Sequence, residues 1–187
     1  MNQLELARAK DFWPNRTPEL RHYYDTEWGQ PSHDDRYLFE LLVLEIMAAG
    51  LSWQLALRKR AGIGAAFADL NVDRIAAMGP AEVDGLLQDE RIMRNRRKVA
   101  AVITNARALQ TLIAEWGTLD AYVWHFTGGC QQVGHWQDYH DLPHRSPLAD
   151  TVSQDMKRRG FTFVGPVIMH NYLQGAGVID NRVVVTG

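Results

Sequence analysis

The sequence predicts an all-α fold of seven or more short helices, and three observations carry that prediction. Apolar residues recur at helical spacing over long stretches, and capping residues and glycine stops bracket those stretches. Strand-like alternation is confined to "FTFVG" (161–165) and the terminal "VVVTG" (183–187).

The elements follow in order. In "SHDDRYLFELLVLEIMAAG", Ser32 is expected to cap a helix with Asp35 at the capping-box position, and Gly50 to end it. Pro80 in "GPAEVDGLL" occupies a first-turn position, as does Pro147 after Ser146 in "RSPLADTVSQDMKRRG", which closes at Gly160. Between them, "NRRKVAAVITNARALQTLIAEW" places Val99, Val102, Ile103, Ala106, Leu109 and Ile113 on one stripe. The polar, turn-rich loop "TGGCQQVGHWQDYHDLPHRSP" separates these central helices from the last pair. It marks the expected boundary between two helical lobes of a single domain spanning 1–187.

Composition narrows the function classes. The 187 residues are 46% hydrophobic and 22% charged, an ordinary globular balance. With a net charge of −2, nucleic-acid binding has to rest on local basic patches and not on a polycationic surface. The single cysteine, Cys130, excludes an intrachain disulfide and a cysteine-rich zinc site. No basic stretch leading into an apolar run opens the chain, and no apolar run reaches the ~20 residues of a membrane span. The expectation is a cytoplasmic monomer with no membrane association.

Three features carry chemistry. Glu45 lies in an apolar run from Leu38 to Leu51, with Leu41, Leu42 and Ala48 at three and four residues from it. Glu40, five residues earlier, sits roughly 140° away around the helix axis, so at most one of the two is expected to face water. A buried acid either pairs with an arginine or waits at the floor of a pocket for a ligand's donor. Around it in sequence are flat rings: Trp13, Tyr23, Tyr24 and Trp28 before the helix, and Trp53 just after it. Rings are usually core, but rings beside a lone carboxylate are also what a purine site requires. Third, "KRRGFTFVGPVIMHNYLQGAG" has the form of a helix-hairpin-helix element. Lys157, Arg158, Arg159, Gly160 and Gly165 precede a helix whose first amides could hold a DNA phosphate. A second basic cluster, "RIMRNRRK" at 91–98, could extend a phosphate track.

"YYDTEWG", "DDRYLFELLVLE", "AGLSW", "RNRRK…NAR" and "KRRGF.FVGP" together resemble the 3-methyladenine DNA glycosylase I family, in the same order from about Trp13 to the C-terminus. The resemblance implies a helix-hairpin-helix DNA glycosylase fold. The implied enzyme flips an alkylated base out of double-stranded DNA and hydrolyses its N-glycosidic bond, releasing free 3-methyladenine without lyase activity or a cofactor. It implies Glu45 as the catalytic, base-recognising acid and Tyr23, Trp53, Trp13 and Trp28 as base-binding aromatics. Members typically hold a structural zinc through an N-terminal cysteine, a histidine in "YHD" and a C-terminal His/Cys pair. Here the histidine's place is Tyr24, the last two fall on Arg182 and Thr186, and the N-terminal segment has no cysteine, so no metal is expected. His135, His140 and His144 are expected to be solvated loop residues. "EIMAAG" puts Ala48 where members carry glutamine, and His170 and Asn171 stand where members are apolar or aromatic. Asp180 is the nearest candidate for the catalytic aspartate of the wider superfamily. The alternative function is a lesion-binding protein that keeps the pocket without efficient turnover.

Overall fold

A computed structural model describes residues 3–183, and their secondary structure is almost entirely helical. The α-helices are α1 (Gln3–Arg8), α2 (Pro18–Thr26), α3 (Asp35–Ala48), α4 (Trp53–Ala66), α5 (Val72–Ala76), α6 (Pro80–Leu86), α7 (Arg96–Trp116), α8 (Leu119–His125), α9 (Pro147–Arg158) and α10 (Pro166–Gly175). Short 3-10 turns cover Trp13–Arg16, Ala68–Leu70 and Tyr139–Asp141. The two strands, β1 (Gln132–Val133) and β2 (Ile179–Asp180), are two residues each and pair in parallel, with a bridge from Trp136 to Val183 extending the ladder.

Helix α3 is the hub because it is apolar on every side: Leu38, Phe39 and every residue from Leu41 to Ala48 are buried. It packs against α4, α7, α8 and α10. The expected stripe of α7 faces it, with Val99, Val102, Ile103, Ala106 and Leu109 buried, while Ile113 packs at the edge of the core. A second, smaller cluster gathers Leu6, Phe12, Tyr23, Tyr24, Trp28 and Val183, with Trp13, Trp53 and Tyr139 packed against it.

The caps at Ser146, Pro147 and Pro80 lie where the sequence puts them. The start of α3 differs. Its N-cap is Asp34, which accepts from the Tyr37 N–H at 2.9 Å, and not Ser32. Asp35 reaches instead to α8, accepting from the backbone N–H groups of Leu119 at 3.3 Å and Asp120 at 2.8 Å. A free helix start elsewhere in the fold competes for that carboxylate, and the local pattern cannot reveal it. Residues 161–165 form no strand: Phe161 and Val164 are core side chains of a turn, which explains their alternation. Of the terminal stretch, Val183 joins the bridge and 184–187 lie outside the described residues. The long loop 127–147 also does more than separate helices, because part of it folds over a cavity.

Candidate active site

A cavity of about 270 Å³ opens where the smaller aromatic cluster meets α3 and α10. Trp13, Tyr23, Trp28, Trp53 and Tyr139 supply its rings, Glu45 comes from α3, and Asn171 and Gln174 come from one face of α10. Leu142, Pro143 and His144 of the long loop complete the wall. The rings are packed against one another, Tyr23 and Trp53 with centroids 5.4 Å apart, Trp13 and Trp28 at 5.7 Å. Such mutual packing holds each ring in place before a ligand arrives. Of the five aromatics around Glu45 in sequence, the four assigned to base binding line the cavity with it and Tyr24 does not.

Glu45 is 7% exposed, and among the described residues no cation lies within ion-pair distance. The arginine that would have satisfied the alternative reading is committed elsewhere. Arg60 of α4 binds Glu40 at 2.7 Å and Glu27 at 2.8 Å. Glu40 is therefore also withdrawn from solvent, so neither acid of α3 faces water freely. Burial alone pushes the Glu45 carboxyl up to about 8, so at neutral pH most molecules hold it protonated. Ionising it at pH 7 costs on the order of 1 kcal/mol, which a single charge-assisted hydrogen bond can offset. The site consequently favours a ligand that arrives as a cation or presents strong donors. Burial also raises the Tyr23 hydroxyl, with Tyr37 and Glu45 adding to the effect, so that phenol stays a neutral donor.

Lys98, read from the sequence as part of a phosphate track, is buried. It donates to the carbonyls of Met47 and Ala49, both at 2.8 Å. These are end groups of α3 that the helix itself leaves unsatisfied, so Lys98 pins the turn joining Glu45's helix to Trp53. Its neighbours Arg91 and Arg96 are paired with Asp89 and Asp84, each at 2.7 Å, which weakens the case for a basic track there.

The hairpin is built as expected. Gly160 has φ of +89°, a conformation glycine adopts without penalty. Asn105 of α7 clasps the turn, donating to the Thr162 carbonyl at 3.0 Å and accepting from the Thr162 N–H at 2.8 Å. The Ser153 hydroxyl donates to the Val164 carbonyl at 2.6 Å. No atom lies within 4 Å of where a Cβ on Gly165 would point, so the start of α10 is open to close approach. Lys157 and Arg158 are exposed on the preceding turn. Arg159, assigned to DNA binding from its place in the motif, has a structural role instead. Its guanidinium binds Glu115 and Asp155, both at 2.6 Å, and lies over the rings of Trp116 and Tyr122. One helical step separates it from Arg158, and that rotation turns it inward.

Asp180 is not available as a catalytic aspartate: Arg182 holds its carboxylate at 2.5 and 2.9 Å and keeps it below the usual carboxylate range. Arg182 also stands at one of the positions that the family resemblance assigns to a zinc ligand. Tyr24, at another, stacks on Trp28 with centroids 5.2 Å apart. A guanidinium and a packed phenol do not fit a zinc ion, and Thr186 lies outside the described residues. His140 bridges Asp138 at 2.7 Å and Asp11 at 3.0 Å at the surface, and His144 reaches the cavity wall, which loop position alone did not indicate. His170 is buried against Ser146 and the Pro143 carbonyl, bracing the wall from behind. Ala48 is not among the residues lining the cavity, so the change from glutamine leaves its wall intact. Among the features that went unread in the sequence are Tyr139 and Gln174 in the cavity and Leu51, an apolar side chain 52% exposed just after Gly50. Leucine between glycine and serine at a turn was the available signal for the last.

A helical scaffold with a clasped hairpin and a ring-walled cavity over a lone buried acid defines a helix-hairpin-helix DNA glycosylase. Comparison with known proteins agrees: the family model for methyladenine glycosylases matches residues 13–186. The chain is 36% identical over 172 residues to DNA-3-methyladenine glycosylase 1 of Escherichia coli K12, covering 92% of each chain. It is 31% identical over 160 residues to DNA-3-methyladenine glycosylase of Haemophilus influenzae, covering 86% of each. The structure superposes on 3-methyladenine DNA glycosylase I from Staphylococcus aureus, described for its recognition of 3-methyladenine, with a TM-score of 0.89, 29% identity and 93% coverage of both chains. The chain belongs to the methyladenine glycosylase family.

Proposed function

We propose that the protein is a base-excision repair glycosylase that removes 3-methyladenine from double-stranded DNA, with Glu45 as the acid that recognises the flipped base. The observation that carries this reading is Glu45 itself: buried, unpaired among the described residues, and lining a cavity walled by aromatic rings. A 3-methylated adenine is cationic while attached to the sugar, so it offsets the charge that burial makes costly on Glu45. A neutral adenine offers no such compensation, and selectivity follows from that difference.

The chemistry requires little acid assistance. As the C1′–N9 bond breaks, its electron pair neutralises the cationic base, and the sugar gains oxocarbenium character. A water oxygen then bonds to C1′ and its proton is lost to solvent, leaving an abasic sugar and neutral 3-methyladenine. Tyr23, Trp53, Trp13 and Trp28 sandwich the base, and the Glu45 carboxylate accepts from its amine edge, holding it in place as positive charge passes to the sugar. No lysine lines the cavity, which supports hydrolysis without a Schiff-base intermediate. Leu51, beside Trp53, is suited to fill the gap left in the base stack.

Incubation with methylated duplex DNA tests the reading: free 3-methyladenine is expected in the supernatant. Tight binding of the lesion with no base released over many turnover times would make the protein a lesion binder instead. On the DNA side, Gly160, Gly165, Lys157 and Arg158 form the proposed phosphate clamp. The double change Lys157→Ala, Arg158→Ala is expected to weaken binding evenly across sequences and lower the salt slope by about 2. An unaltered slope would move the clamp elsewhere.

A further inference from the structure

Eight polar or charged side chains are buried among the described residues: Glu45, Lys98, Asn105, Ser153, His170, Gln174, Asp180 and Asn181. Six of them have hydrogen-bond partners in the protein. Lys98 donates to α3 carbonyls, Asn105 and Ser153 hold the hairpin, and His170 meets Ser146. Asp180 holds Arg182, and the Asn181 carbonyl accepts from the Trp136 indole at 2.9 Å, although the Asn181 amide nitrogen is buried without a partner. The two left without a side-chain partner, Glu45 and Gln174, both line the same cavity. Two uncommitted polar side chains lining one cavity point to a shared ligand.

Gln174 is also held firmly at its backbone. Its carbonyl accepts from the N–H groups of Gly29 at 2.8 Å and Gly177 at 3.1 Å, so only the carboxamide is uncommitted. Gln174 as a whole is 6% exposed on α10, one turn after Asn171. Packing alone would be served by leucine or methionine at such a position.

We propose that Gln174 is a second base-reading residue, whose carboxamide donates to the ring nitrogen beside the exocyclic amine that Glu45 accepts from, and so selects adenine over guanine among cationic 3-methylpurines. The inference rests on the glycosylase reading above. An ionised carboxylate can only accept, so it satisfies the amine but leaves the adjacent ring-nitrogen acceptor unpaired. A carboxamide supplies the missing donor, and an amide paired with an adenine edge is a strong discriminating contact. A 3-methylguanine presents the reverse pattern, a carbonyl where adenine has its amine and an N–H where adenine has the acceptor. Glu45 rejects that carbonyl when ionised, which fixes the sense in which the amide is read.

Gln174→Met preserves length and apolar bulk while deleting both amide functions. Its thermal midpoint is expected to stay at or above that of the wild type. Single-turnover excision of 3-methyladenine from duplex DNA is expected to fall about 10- to 100-fold. Affinity for free 3-methyladenine, read from tryptophan fluorescence, is expected to drop by a similar factor. The ratio of 3-methyladenine to 3-methylguanine excision is expected to fall as well, because the variant loses an adenine-specific contact. Excision and affinity within twofold of wild type would overturn the inference, as would an equal loss for both bases, which is the signature of a packing role. A wild-type protein that releases no base refutes the glycosylase reading, yet its free-base affinity against that of the variant still decides the role of Gln174. A wild type that neither releases nor binds 3-methyladenine overturns both.

Discussion

Glu45→Gln is expected to cut 3-methyladenine release about 100-fold or more and, at the same time, to make the protein more stable in alkaline solution. The first effect follows from removing the counter-charge and acceptor that draw the cationic base into the pocket and hold it there for cleavage. The second follows from burial. The folded protein holds the Glu45 proton up to a pH of about 8, whereas an unburied glutamate releases it near its ordinary value of 4.5. Between those values the folded state binds more protons than the unfolded chain, so this group makes stability decline as pH rises, and above about 8 the loss is complete. At full shift the cost is roughly 5 kcal/mol, a large share of an ordinary domain's stability. Glutamine does not titrate, so the variant loses that decline and keeps the side-chain volume. Chemical denaturation of both proteins at pH 5 and pH 9 measures the difference. Parallel pH slopes would mean that the carboxyl is not held in an apolar site, and unchanged base release would remove it from the chemistry.

Gly177→Ala carries the largest expected cost to the fold. Gly177 has φ of +71°, and a Cβ there would lie 2.1 Å from both the carbonyl carbon and oxygen of Gln30, and 2.4 Å from the Pro31 nitrogen. These are backbone atoms and cannot swing aside. The left-handed conformation adds strain of its own, so a loss of more than about 3 kcal/mol is expected. The clash falls between the end of α10, which carries Gln174, and the segment that follows Trp28. Affinity for the free base should therefore fall in whatever protein remains folded. Gly64→Ala in α4 is the control, since no atom lies within 4 Å of its Cβ and alanine is the better helix former. A thermal midpoint for Gly177→Ala equal to that control would show that the packing between α10 and residues 30–31 is not tight.

Much of this was legible locally. Helical spacing, proline at first turns and serine caps are short-range signals, and α7, α9 and α10 follow them closely. An acid within an unbroken apolar run was conspicuous because burying charge is costly wherever it happens, and the rings on either side of it in sequence lie in the same cavity. Charged side chains were read less well. Lys98 and Arg159 look like their neighbours in a basic run, yet one caps α3 and the other binds Glu115. Asp35 looks like part of its own helix's cap and serves α8.

The sequence by itself determined the helical class, the position of the anomalous carboxylate and the family, because those depend on residue type and spacing along one chain. Only the tertiary structure decided which cations face solvent, that no arginine among the described residues reaches Glu45, and that Gln174 lines the same cavity without a side-chain partner. The physical reason is that burial and pairing are set by contacts between segments far apart in the chain, and a side chain's neighbours across such contacts leave no trace in its immediate sequence.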